Sequence, residues 1–227
     1  MQRYLPGIIS LLLSIVAQAQ DTTTFRAPVI SPQVYWDYGK TLSLWTDFEQ
    51  KTEVGLSLLI IDHIELIGEY GQGKLTPRDA FKNIDYQVDG TYYRAGIGYM
   101  VYIDPSNRLG LELKYGKGSF SDQGTIHVAT SSDYNPDFER TFSRNNLEAT
   151  WGEFNISTQR YVNLNKEQPP QAWINRLVSI GAIFRYRWKL SDSDVEDLPD
   201  YYAIPGYGRA SADNLPAVNF FIRFSLF

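Results

Sequence analysis

Few side chains in this sequence could carry chemistry, and their spacing limits what that chemistry is. The chain has two histidines and no cysteine. Disulfides, thiolate metal sites and a cysteine nucleophile are therefore excluded. His127 stands in Thr125-Ile126-His127-Val128, shortly before Ser131, Ser132 and Asp133. A base, a hydroxyl and a carboxylate are the parts of an acyl-transfer triad. No nucleophile elbow or paired His-x-Ser signature accompanies them, so a surface-loop histidine is the plainer expectation. His63 sits in Asp62-His63, a turn dipeptide. Asp192, Asp194, Glu196, Asp197 and Asp200 form an acidic run whose Asp-x-Asp spacing is compatible with Ca²⁺. The run lacks a turn glycine and a full ligand set, which favours a solvated loop, and no metal or cofactor is assigned. The segment Ile204-Pro205-Gly206-Tyr207-Gly208-Arg209 combines a fixed φ with permissive glycines, and so predicts an ordered turn. Tyr202, Tyr207 and Arg209 around it would form a recognition surface, since Tyr and Arg dominate binding hot spots. The competing expectation is that the turn folds back as a cap.

Elsewhere charge recurs at alternate positions of apolar stretches. In 177–190, Arg185, Arg187 and Lys189 share a side with Ser179 and Gly181. Val178, Ile180, Ala182, Phe184, Tyr186, Trp188 and Leu190 share the other, and Ile183 interrupts the polar side. This is the period of a strand, not of a helix. In 108–117, Leu109, Leu111, Leu113 and Tyr115 oppose Gly110, Glu112, Lys114 and Gly116. In 91–103, Tyr93, Ala95, Ile97, Tyr99, Val101 and Ile103 oppose Tyr92, Arg94, Gly96, Gly98, Met100 and Tyr102. In 215–227, Val218, Phe220, Ile222, Phe224 and Leu226 oppose Asn219, Arg223 and Ser225. Weaker runs occupy 41–48, 53–61, 64–71 and 147–159, the last with Trp151, Glu153 and Asn155 opposite Phe154 and Ile156. Together they predict eight strands, several with the roughly 9–11 residues that cross a bilayer at a tilt.

Composition fits strands with one oily face. Hydrophobic residues make up 43% of the 227 residues, yet mean hydropathy is only -0.30. Aromatics reach 15%, which suits girdles at a membrane surface. The net charge of -5 and the lack of a strongly basic patch set nucleic acid aside. At the start, Arg3, an apolar stretch over 5–16 and Ala17-Gln18-Ala19 form a secretory signal pattern. No other stretch has the roughly 18 consecutive apolar residues of a spanning helix.

The expected fold is all-β: an eight-stranded antiparallel up-and-down transmembrane β-barrel over 39–227. A signal peptide at 1–19 and a periplasmic leader at 20–38 precede it. Turns at 62–63 and 104–107 fall on one side, and the long segments 72–90, 118–146 and 191–214 on the other. Short inside and long outside is the asymmetry of such barrels. The connections 49–52 and 160–176 fit it less well. Arg94, Glu112, Lys114, Glu153, Arg185, Arg187 and Lys189 would then point into a lumen that side chains can fill. Opposite charges there would close it as a salt-bridge network.

The signal pattern, the strands and the ending Asn219-Phe220-Phe221-Ile222-Arg223-Phe224-Ser225-Leu226-Phe227 resemble small outer-membrane β-barrels. That likeness implies insertion by the barrel assembly machinery, although here the apolar residues are offset by one from the last Phe. Trp151-Gly152-Glu153, Tyr202-Ala203-Ile204-Pro205-Gly206-Tyr207-Gly208 and the strand order look like an uncharacterised family of predicted Bacteroidota outer-membrane barrels. This resemblance implies fold and location, but no activity and no functional residues. The resulting expectation is a non-enzymatic protein of the cell outer membrane. It would touch membrane lipid and lipopolysaccharide, with divalent bridging through the acidic run as one means, and its specific protein partner is unnamed. The rivals are a lipid-modifying enzyme using His127, a narrow channel, and a soluble secreted sandwich.

Overall fold

The computed structural model describes residues 30–42, 49–77, 83–128, 138–170, 172–195 and 201–226. The signal pattern, Ser131, Ser132, Asp133, Glu196, Asp197, Asp200 and Phe227 lie outside the described residues.

Alternating sequences make strands here because every second side chain turns outward and the others turn into a packed interior. Eight of them close into a barrel: β1 (Ile30–Asp37), β2 (Glu49–Ile60), β3 (Ile64–Leu75), β4 (Ile84–Tyr102), β5 (Asn107–Val128), β6 (Phe138–Tyr161), β7 (Val178–Asp192) and β10 (Asn214–Ser225). Neighbours pair antiparallel in chain order, and β1 completes the ring by pairing with both β10 and β2. Between β7 and β10, the two-residue strands β8 (Ala203–Ile204) and β9 (Gly208–Arg209) form a separate small ribbon. Closure leaves no exposed sheet edge.

The first strand is not where the pattern of 41–48 placed it. Thr41 and Leu42 end a short helix, α1 (Tyr38–Leu42), and 43–48 lie outside the described residues. The strand is Ile30–Asp37, within the segment read as a leader, so the barrel reaches back at least to Ile30. Pro32 disguised it, because proline demotes a run from strand status. The alternation is nonetheless clean: Ser31, Gln33, Tyr35 and Asp37 are buried, and Ile30 and Trp36 are exposed.

The strands are longer than the alternating apolar runs, because β4, β5 and β6 continue past them. On β5 the outward residues are Leu109, Leu111, Leu113 and Tyr115, then Lys117, Ser119, Ser121, Gln123 and Thr125. On β4 they are Tyr99, Ile97, Ala95 and Tyr93, then Thr91, Asp89, Gln87 and Asp85, while Val101 is buried. On β3 Tyr70 gives way to Gln72 and Lys74. The interior changes in the opposite sense. Beside the oily band it is mainly charged, with one small apolar group of Tyr35, Ile67, Ile183 and Phe221. Beyond the band it is mainly apolar, with Tyr86, Val88, Phe120, Leu147 and Ala149 buried together and one ion pair, Asp122 with Arg144. At about 3.4 Å per residue, 93–101 runs roughly 27 Å along its strand.

The connections at the other end are tight. Ile61 and Asp62 both take positive φ, 50° and 61°, and His63 donates its N–H to Ile60 O at 3.1 Å. The Asn107 side chain and the Ser106 and Asn107 backbone N–H groups donate to Asp104, holding its carboxyl below the usual range. The connection after β6, long for a turn, folds on Asn175, whose Nδ2 donates to the carbonyls of Asn165, Gln168 and Pro169. It carries a 3-10 turn (Trp173–Arg176) that brings Arg176 under the barrel.

Candidate functional site

The interior is the place where chemistry-bearing side chains meet. Inward parity on five strands sets Glu53 of β2, Glu69 of β3, Arg94 of β4, Glu112 and Lys114 of β5, and Glu153 of β6 around two arginines of β7. Arg185 lies 3.0 Å from Glu53, 2.9 Å from Glu69 and 3.2 Å from Glu153. Arg94 pairs with Glu53 and Glu69 and lies 3.3 Å from Glu153. Lys114 bridges Glu69 at 2.6 Å and Glu112 at 2.8 Å. Arg187 reaches Glu153 at 3.3 Å. Tyr92 Oη donates to Glu53 at 2.6 Å, Trp151 Nε1 to Glu153 at 2.8 Å, and Tyr35 Oη to Glu69. From α1, Lys40 pairs with Glu53. All the strand groups are buried. Gly116 makes room for the indole, since a Cβ there would stand 2.3 Å from Trp151 Cε2.

Above this cluster the barrel is plugged by its own loop. Ile204, Pro205, Gly206 and Tyr207 are buried in the mouth. The Tyr207 ring lies 5.8 Å from that of Trp151. Arg187 Nη1 donates to Tyr207 O at 2.5 Å, and Tyr207 Oη donates to Ala212 O at 2.7 Å. Gly206 has φ of 82°, and a Cβ there would stand 2.4 Å from the Tyr92 ring, so conformation and space both require glycine. The cap expectation describes this geometry. Tyr207 is 1% exposed, which corrects its place in a recognition surface: the plug needs its ring on Trp151. Arg209 is exposed, with Tyr202 beside it at 3.4 Å.

Six of the seven residues expected in a lumen network are in the interior. Lys189 is at the mouth, bonded to Asp192 Oδ2 at 2.9 Å and Ala210 O at 3.0 Å. Sequence reasoning did not single out Glu53, Glu69, Lys40 or Tyr35. Parity within β2 and β3 would have placed both glutamates inside, but those runs are short and weakly polar. Lys40 and Tyr35 belong to the stretch around the unrecognised first strand. At the far end Arg223 pairs with Glu65 at 2.7 Å, and Arg108 and Arg176 lie against Tyr102 and Tyr161.

His127 is on the polar end of β5, beyond the oily band. Its Nε2 lies 3.1 Å from Asp85 Oδ2 and its Nδ1 3.1 Å from Glu139 Oε1. Those two carboxylates, Asp85 first, raise its pKa above the ordinary histidine value. Both ring nitrogens thus lie within hydrogen-bond reach of carboxylates. His63 stacks on Tyr99 with centroids 5.7 Å apart. Asp192 accepts from Lys189 and Tyr201. Among the described residues no group of three or more His, Asp or Glu could hold a metal ion.

The central cluster thus pairs its charges internally and is closed by an aromatic lid; the arrangement binds side chains to one another. No curated protein matches the chain. Similar solved structures are the attachment invasion locus protein Ail of Yersinia pestis and the N-terminal β-barrel domain of Pseudomonas aeruginosa OprF. Ail is 13% identical, with 87% of this chain and 97% of that chain covered and a TM-score of 0.41. OprF is 10% identical, with 87% and 96% covered and a TM-score of 0.32. A family match spans residues 37–226, and the chain belongs to that family, described as Domain of unknown function (DUF6048).

Proposed function

We propose that this protein is an integral outer-membrane β-barrel with a sealed interior, exported by its N-terminal signal and serving the envelope without catalysis. Its long hairpins stand above the bilayer, where they meet lipopolysaccharide or a protein partner. The observation that carries this reading is the polarity inversion along β4 and β5. From Leu109 to Tyr115 the outward side is apolar and the inward side carries Glu112 and Lys114; from Lys117 onward the outward side is polar and the inward side mainly apolar, with Asp122 held by Arg144. A sheet in water buries its apolar face, as the upper part does. The lower part reverses that order, which is favourable only where the surround is hydrocarbon. Tyr70, Tyr93 and Tyr115 mark the junction, as interfacial aromatics do. The sealed interior is supported by the ionic cluster and the Tyr207 plug, and the non-enzymatic role by the position of His127 between two carboxylates.

Two measurements on the full-length protein test the reading. Cell fractionation with a gel mobility assay should place it in the outer membrane as a band that shifts on heating. Planar bilayers should show no stable conductance. A product that folds as a monomer in buffer without detergent refutes the membrane reading. Clear, stable current steps refute the sealed interior.

A further inference from the structure

Among the described residues every buried carboxylate is paired with a cation, and every buried cation but one lies within ion-pair distance of a carboxylate. Glu65 has Arg223, Asp122 has Arg144, Asp37 has Lys40, and the central glutamates share Arg94, Lys114, Arg185 and Arg187. The exception is Arg108: Glu65 and Asp62 act on its charge from a distance, but no carboxylate pairs with it directly among the described residues. Its side chain is 0% exposed, and Nε, Nη1 and Nη2 each lack a hydrogen-bond partner among the described residues. Its guanidinium carbon lies 4.8 Å from the Tyr161 ring centroid and 5.5 Å from that of Tyr102. Arg176, delivered by the long connection after β6, stands on the same two rings at 5.6 Å and 5.2 Å. Arg176 also donates to Tyr102 Oη at 3.2 Å and lies 3.8 Å from Asp62 Oδ2.

Contacts with two aromatic rings offset part of the burial of a guanidinium. They satisfy none of its N–H groups, and a buried charge without hydrogen bonds is strongly disfavoured. A guanidinium offers paired N–H donors at the spacing of two oxygens on one carbon or phosphorus. The second cation, Arg176, stands on the same two rings and donates to the Tyr102 hydroxyl.

We propose that Arg108, Arg176 and Tyr102 form an oxyanion-binding site at the end of the barrel that carries the tight turns. The ligand chemistry is a carboxylate or phosphate group taken bidentate on Arg108, with Arg176 as the second cation. The site does not depend on the membrane reading; only the name periplasmic for that end does. Entry is past Tyr102 and the connection bearing Arg176, since Tyr102 is only half-buried.

The test uses the full-length protein refolded in detergent. Its thermal midpoint is followed against inorganic phosphate and, separately, acetate, with chloride holding ionic strength constant. The expected result is a saturable rise with at least one oxyanion and none with chloride. A response to phosphate alone identifies a phosphate site; a response to both identifies a general oxyanion site. Arg108→Gln should abolish the rise. Should that variant fail to give the heat-shifted band, Arg176→Gln serves, and should weaken binding about tenfold or more, the size of one charge-assisted hydrogen bond. No saturable rise with either anion overturns the proposal, and so does a rise that persists unchanged in Arg176→Gln. A protein that folds in detergent but fails the anion test leaves the membrane reading intact, so the two failures are distinguishable.

Discussion

Replacing Glu69 by Gln keeps its shape and removes its charge. Three cations then lose their shared anion: Arg185 at 2.9 Å, Lys114 at 2.6 Å and Arg94. Lys114 retains Glu112, and Arg94 and Arg185 retain Glu53 and Glu153. The cluster is therefore weakened and left with excess positive charge, but is not emptied. Breaking one member of a buried pair costs about 3–5 kcal/mol because the opposite charge remains buried. The partial compensation places Glu69→Gln at the lower end, about 3 kcal/mol. Reversible urea unfolding in lipid vesicles gives the change directly. A cycle with Arg185→Met isolates the pair and should show a coupling above about 1 kcal/mol, as contacting residues do. If Glu69→Gln falls within about 0.5 kcal/mol of the parent and the coupling is zero, the ionic cluster does not hold the barrel shut, and the account of the interior fails.

Other outcomes follow from the same geometry. Leu113→Arg, on the oily band, should destabilise folding into vesicles by about 2–4 kcal/mol. Ser121→Arg, on the outward face beyond Lys117, should cost less than about 0.5 kcal/mol, and equal costs would misplace the membrane boundary. Tyr207→Ala should lower stability by about 3 kcal/mol through loss of the ring on Trp151. Arg209→Ala, at the exposed tip, should leave stability unchanged, so any partner it loses reports recognition alone. His127 should titrate above the ordinary histidine value by NMR and return toward it in Asp85→Asn with Glu139→Gln. Because the folded pKa is raised, any stabilisation from these contacts is present below the unfolded pKa and lost as pH rises through the folded one. A His127 pKa unmoved by the double substitution would remove the contacts as its cause.

Period-two alternation in 91–103, 108–117, 177–190 and 215–227 was enough to predict all-β structure and, Lys189 excepted, which charges of those runs turn inward; the count of eight strands included one, 41–48, that was misplaced. Strand geometry makes this possible, since side-chain direction is set by position alone. What the alternation could not reveal was the identity of the first strand, because Pro32 argues locally against a strand that β2 and β10 nonetheless enforce by pairing on both sides. Nor could it give the full length of β4, β5 and β6. There the outward residues become polar and the segments read as loops, although inward Val88, Phe120 and Leu147 continue the period. Tertiary structure alone decided which inward charges meet. Glu69 and Arg185 are 116 residues apart, and only ring closure brings them together. It also decided that Tyr207 is a plug rather than a contact surface and that Arg108 is buried against two rings with no carboxylate hydrogen-bonded to it among the described residues. Those facts depend on distances across the barrel, and a one-dimensional pattern carries no information about what lies opposite.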